Sequence, residues 1–146
     1  MDKGQTQAHP EKDRLLGELA SGDARIDQQE ARKHPKLRKE LGFKKELLLS
    51  GDVVGLVNGR LVGIEIKRTF DLITSWKTNR LAKQVRLMRQ IYDVSVLLCI
   101  KLPAITVSGA LWSPSGQYKR TEMGLWEDLL SLQMEGVLIG VCSREE

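Results

Sequence analysis

Apolar and polar positions are distributed differently on the two sides of residue 46. Before it, apolar residues are sparse. Residues 1–10 are polar, residues 11–20 (EKDRLLGELA) predict a short helix, and Ser21-Gly22-Asp23 breaks it. From Ala24 to Leu41 the chain is strongly charged. Pro35, with Leu37 and Leu41 four apart, predicts a helix that starts at the proline and stops at Gly42. Beyond residue 46 the pattern becomes apolar. Residues 46–57 (ELLLSGDVVGLV) and 61–67 (LVGIEIK) predict two strands, and Asn58-Gly59 between them predicts a two-residue type I′ hairpin. Residues 70–92 predict helix with a break near Thr78-Asn79, and Leu81, Val85, Met88 and Tyr92 fall on one stripe at a 3.6 period. Residues 94–100 form an unbroken apolar run, which predicts a strand covered on both faces. After Pro103 comes a looser stretch with a turn at 113–116, then a helix over 122–134 and a strand over 137–142. Hairpin, helix, buried strand, helix, strand is the pattern of an α/β domain with a mixed central β-sheet flanked by helices.

The hairpin has a chemical consequence. If Val57 pairs with Arg60, the register runs back pair by pair until Asp52 lies opposite Glu65, with Cβ atoms about 4.5–5.5 Å apart. Side chains alternate along a strand, so Val62, Ile64 and Ile66 share one face while Glu65 and Lys67 share the other with Asp52. Two opposed carboxylates destabilise a hairpin unless a cation lies between them. Mg²⁺ takes one or two carboxylates together with waters and phosphate oxygens. Lys67 is then placed to meet a phosphate, and the cluster suits metal-assisted phosphodiester hydrolysis. A sheet face carrying an ordinary Glu-Lys pair, with Asp52 at a turn, is the bland alternative.

Composition narrows the classes. The chain has 146 residues, 41% hydrophobic and 29% charged, with a net charge of +4. That is enough apolar content for one folded core, and too mild a charge to imply a polyanionic partner alone. No apolar run approaches the roughly 18 residues of a membrane helix, and MDKGQTQAHPEKDR has no apolar core of a secretory signal. The expected location is therefore cytoplasmic or nucleoid-associated, or nuclear in a eukaryote. Cys99 and Cys142 lie in apolar runs and read as buried thiols, while His9 and His34 have no partners at metal-ligand spacing. The charge is also uneven. From residue 60 to 89, eight basic residues face only Glu65 and Asp71, a net of +6 that leaves −2 for the rest of the chain.

Asp52 followed by Glu65-Ile66-Lys67 resembles the Asp…(Asp/Glu)-X-Lys signature of the restriction-endonuclease-like nuclease superfamily. Gly51-Asp52, Glu65-X-Lys67, Asp71, and then Arg80-Leu81, Gln84 and Arg86-Leu87 together resemble the XPF-type structure-specific endonucleases over about residues 46–100. Ile66 departs from the family's usual Arg between Glu and Lys. The family's upstream acidic element falls on Asp27 and Glu30. Residues 24–30 are polar for a buried strand, and Glu30 could reach the site from a helix instead.

The resemblance implies a metal-dependent DNA endonuclease of branched or flapped DNA. Asp52 and Glu65 would bind Mg²⁺ (or Mn²⁺), Lys67 would contact the scissile phosphate, and Glu30 would join them. Arg68, Asp71, Lys77, Arg80, Lys83, Gln84 and Arg86 would support the site or touch DNA; Asp71 could equally cap its helix, and Gln84 could cover the core edge. The tryptophans 76, 112 and 126 read as core or dimer contacts rather than base-stacking platforms. The implied domain spans 24–146, with its catalytic core at 46–100 and a polar segment at 1–23 before it. A homodimer or heterodimer is implied, and residues 122–142, with Leu125, Trp126, Leu129, Leu130 and Met134, are where it would form unless they only complete the core. No tandem helix-hairpin-helix module follows the last strand, so substrate selection is expected from this domain, a dimer mate or another protein. Junction resolvases, restriction-type enzymes and RecB-like exonuclease modules share the same core chemistry, and a catalytically silent DNA-binding subunit is the non-enzymatic alternative.

Overall fold

The computed structural model describes residues 9–19, 22, 24–101, 110–113 and 116–142. In chain order the elements are α1 (Pro10–Leu19), β1 (Arg25–Asp27), α2 (Gln28–Lys33), α3 (Pro35–Leu41), β2 (Lys44–Glu46), β3 (Val53–Val57) and β4 (Arg60–Arg68). Then follow α4 (Thr69–Lys77), α5 (Arg80–Ile91), β5 (Val94–Ile100), β6 (Ala110–Ser113), β7 (Gly116–Thr121), α6 (Glu122–Met134) and β8 (Leu138–Cys142). Six strands form one mixed sheet in the order β2-β1-β3-β4-β5-β8, and β6 and β7 make a separate antiparallel pair.

The local signals explain much of this. Asn58 and Gly59 take positive φ of 51° and 74°, as a type I′ turn demands, and Val57 pairs with Arg60. Pro35 opens α3 and Gly42 closes it in the left-handed conformation. The helix over 70–92 is two helices, with Asn79 left-handed (φ 61°) at the joint. Three expectations change. The strand over 46–57 contracts to Val53–Val57, and the neighbouring Lys44–Glu46 pairs in parallel with Arg25–Asp27, a segment whose polarity had spoken against a strand. Ile26, fully buried, holds that short strand in place. The loose stretch after Pro103 contains the β6–β7 pair; the end of the turn at 113–116 lies at its edges, and residues 114–115 lie outside those described.

The third change concerns β5. Its burial alternates as far as Cys99, with Ser95, Leu97 and Cys99 buried and Val94, Val96 and Leu98 only half-covered, while Ile100 at the end is buried; one face of the sheet is closed and the other partly open. The closed face carries two clusters. Leu97 and Cys99 pack with Leu72, Trp76, Leu81, Val85, Leu125, Leu129, Leu132 and Val137. Leu61 and Val54 pack with Leu15 and Leu19 of α1, Leu48, Met88, Ile91 and Tyr92. Each fully buried Leu, Ile or Met here contributes about 1.5–3 kcal/mol. The open face has a smaller cluster of Ile26, Ala31 and Val53, with Phe43, Ile64 and Ile66 half-buried against it. No described helix is long and apolar enough to cross a membrane.

Candidate active site

β3 begins at Val53, opposite Ile64, whereas β4 continues to Arg68, so the last residues of β4 run beyond the start of their antiparallel neighbour. The paired register holds from Val57↔Arg60 to Val53↔Ile64 and stops one pair short of Asp52 and Glu65. Asp52 leaves the ladder: its N–H donates to the Ile64 carbonyl (2.8 Å), and its Oδ2 accepts the Ile66 N–H (2.7 Å). The carboxylate thus replaces a main-chain acceptor for β4. Gly51, at φ 84°, makes the bend that allows it. The Tyr92 hydroxyl, donating to the Ser50 carbonyl, braces the same bend.

Glu65 and Lys67 lie on one face of β4, as alternation requires, but that face is the buried one. Glu65 is 7% exposed and Lys67 5%. Lys67 Nζ sits 3.2 Å from Glu65 Oε1. Glu30, 4% exposed, comes from α2 and accepts a hydrogen bond from the Arg68 guanidinium at 2.9 Å; His34 Nε2, one turn along, lies 3.9 Å from it. Asp27 is committed to the backbone, capping α2 by accepting from Gln29 N–H (2.9 Å) and fixing the approach to β3 by accepting from Leu48 N–H (3.1 Å). The route of Glu30 into the cluster is therefore a helix that follows a short strand.

Three carboxylates act on one another here. Burial pushes the Asp52 carboxyl up to about 7, with the charges of Glu65 and Glu30 adding to the rise and the Ile66 N–H and Lys67 opposing it. Burial also raises the Glu65 carboxyl, against the pull of Lys67 and with help from Glu30 and Asp27. The raised Asp52 and Glu65 carboxyls mark a place short of positive charge, which fits a divalent cation. Among the described residues no three His, Cys, Asp or Glu side chains form a ready-made metal cage. The donor set that fits is Asp52 and Glu65 completed by water and phosphate oxygens, the coordination Mg²⁺ favours.

The other sequence candidates are more dispersed. Asp71 is exposed in the first turn of α4, with Arg68 rather than Asp71 at the N-cap. Lys77, Arg80, Lys83, Arg86 and Arg89 are all exposed along α4 and α5. Gln84 is half-buried, with an Oε1 that has no hydrogen-bond partner among the described residues. Trp76 is buried and its indole N–H donates to Asp128; Trp126 packs half-buried on the same core, and the Trp112 side chain lies outside the description. Cys99 is buried, its thiol pushed up to about 11 by that burial, while Cys142 is half-buried rather than buried; both are free. Sequence reading assigned Tyr92 to the core stripe and missed its brace on Ser50. The signal was available, because a buried tyrosine needs a partner for its hydroxyl.

No family model and no curated protein matches the sequence. Among solved structures, the chain is similar to XPF from Aeropyrum pernix in complex with DNA, at 18% identity and a TM-score of 0.63. It is similar to XPF from the same organism in a second structure, at 19% identity and the same TM-score. Each comparison covers 83% of this chain and 56% of the other, so the chain spans a little over half the length of those proteins. The fold is thus XPF-type, as the motifs around Asp52 and Glu65 imply: a central mixed sheet flanked by helices.

Proposed function

We propose that this chain is a metal-dependent DNA endonuclease that cuts branched or flapped DNA. The observation that carries the reading is the acidic cluster of half-buried Asp52 with buried Glu65 and Glu30 beside Lys67, at the end of β4 where β3 gives way. The similarity to XPF from Aeropyrum pernix in complex with DNA supports the choice of substrate. Asp52 and Glu65 would hold Mg²⁺ or Mn²⁺, which when bound would supply activation of water and offset charge on the phosphorus.

The chain's own residues orient the rest. The Ile66 N–H fixes the Asp52 carboxylate, and Arg68 fixes Glu30. Lys67 donates to an oxygen of the scissile phosphate and returns to Glu65 when the site is empty of substrate. The exposed Lys77, Arg80, Lys83 and Arg86 meet flanking phosphates, which fix position and not sequence. Dimerisation belongs to α6 and β8. Leu125, Leu129 and Leu132 complete the core, but Leu130 (54%), Met134 (89%), Leu138 (55%) and Val141 (49%) are exposed. Native mass of the wild type against Met134→Glu tests that part.

Cleavage of a labelled branched duplex in Mg²⁺ tests the activity. Asp52→Asn and Lys67→Met are each expected to lower the rate at least about a hundredfold. Equal rates in the wild type and both variants would rule the reading out. A panel of nicked, flapped and four-way substrates separates a flap or branch nuclease from a junction resolvase.

A further inference from the structure

On the open face of the sheet, opposite Glu65 and Lys67, lies a cavity of about 700 Å³. Its floor is Ile64 and Ile66 of β4 with Leu98 and Ile100 of β5. Leu41 and Phe43, at and after the end of α3, make one wall. Leu41 is 51% exposed, so this wall is an apolar lip open to solvent. Lys33 and Lys36, both exposed, stand at the rim; Arg68 lines the groove while paired with Glu30, and Glu40 is the acid among the lining residues. The rim continues a basic surface: between residues 31 and 45 the chain has seven Lys and Arg and one acid, Glu40.

We propose that this groove is a docking site for an acidic amphipathic segment of a partner protein. The apolar floor takes the partner's apolar side chains, and the cationic rim takes its flanking carboxylates. This is the anatomy of a helix-in-groove interface, with an apolar centre and a charged border that sets register and partner choice. Charge complementarity fixes the occupant's sign. The floor argues for a protein segment over nucleic acid, because phosphates gain nothing from a concave wall of Ile and Leu. The groove meets the acidic cluster at Arg68, which holds Glu30, so docking is read by peptide binding and not by cleavage.

Fluorescence anisotropy of a labelled helical peptide of about 16 residues, Leu on one face and Glu on the rest, tests it against the whole chain. The wild type is expected to bind this peptide and not its Lys-for-Glu counterpart. Leu41→Glu, and separately Lys33→Glu with Lys36→Glu, are each expected to weaken binding at least about tenfold. These side chains are exposed, and the two independent variants guard against loss of folding in either. Failure of the wild type to bind, or equal binding by all three proteins, overturns the proposal. A tenfold loss of single-stranded DNA affinity in Leu41→Glu would assign the groove to nucleic acid and overturn it as well. So would a wild-type mass that doubles with concentration and reverts to monomer in Leu41→Glu, which would make the occupant a second copy of this chain.

Discussion

The two faces of β4 invert the usual relation between polarity and cover. One face carries Leu61, Gly63, Glu65 and Lys67 and is closed by helices. The other carries Val62, Ile64, Ile66 and Arg68 and is half-open. A soluble sheet normally hides its isoleucines and shows its charges. Here a carboxylate and an ammonium are buried to single-digit exposure while Ile64 and Ile66 of the same strand line a groove. Burying charge without a matching apolar gain lowers stability, so such an arrangement is explained by use rather than by folding. The closed face holds an ion pair in low dielectric. The open face offers contact area.

The largest expected effect breaks the closed face. Lys67→Met leaves Glu65 buried without its partner at 3.2 Å, a loss of about 3–5 kcal/mol. The double variant Glu65→Leu/Lys67→Met is expected to recover most of that loss, because a buried ion pair is often replaceable by apolar side chains. Val62→Thr, on the half-open face of the same strand, is expected to change stability by less than about 1 kcal/mol. Urea unfolding of the four proteins checks all of this. Equal losses from Lys67→Met and Val62→Thr would mean that the two faces do not differ as their burial says.

How much of this contrast can be read from sequence depends on how local its causes are. The hairpin, its register and the separation of Glu65 from Ile66 follow from Asn58-Gly59 and strict alternation, which involve residues within one turn. The stripe on α5 and the bounds of α6 are equally local. What escapes is set by distant partners. Arg25–Asp27 and Lys44–Glu46 form strands because each pairs with the other and β1 also pairs with β3, not because three polar residues prefer to. Asp52 leaves the ladder through a bend braced by a tyrosine 40 residues further on. The run over 94–100 is apolar at every position but Ser95, so its pattern does not say which face receives helices. The XPF-type fold was legible because motif residues are fixed in order and spacing; the inverted cover of β4 was not.

A second, smaller effect separates the charges themselves. The Asp52 carboxyl is raised in the folded chain from its ordinary value near 3.8 to about 7, so over that interval the folded state holds more proton than the unfolded state. Metal-free stability from this group is therefore fully present at low pH and falls as pH rises from about 4 through about 7. Asp52→Asn removes the charge while keeping an acceptor for the Ile66 N–H. At pH 8 in EDTA it is expected to raise Tm by roughly 5 °C, an advantage that fades toward pH 4. Adding Mn²⁺ at pH 8 is expected to raise the Tm of the wild type and leave Asp52→Asn little changed. A wild-type Tm that climbs between pH 4 and 7 in EDTA, parallel to the variant, would remove Asp52 as the buried acid of the cluster.

The smallest contrast uses a single methyl group on each face. At Gly63, on the closed face, an added Cβ would lie 2.2 Å from the Tyr92 ring, a ring pinned by its bond to Ser50. The ring cannot yield without releasing the bend before Asp52, so Gly63→Ala is expected to cost about 1–3 kcal/mol. Its effect should reach the site and weaken Mn²⁺ binding along with stability. At Gly140, on the open face and paired with Leu98, the same methyl would lie 3.3 Å from Leu98 Cδ1. That methyl is the far end of a half-buried side chain beside the groove, so a rotamer shift of a few tenths of an ångström absorbs it. Gly140→Ala is therefore expected to change stability by less than about 0.5 kcal/mol and to leave Mn²⁺ binding as it is. If Gly140→Ala proved as damaging as Gly63→Ala, the face over β5 and β8 would be packed as tightly as the one that holds Glu65 and Lys67. The groove would then have no room for any partner, and the division of labour between the two faces would fail with it.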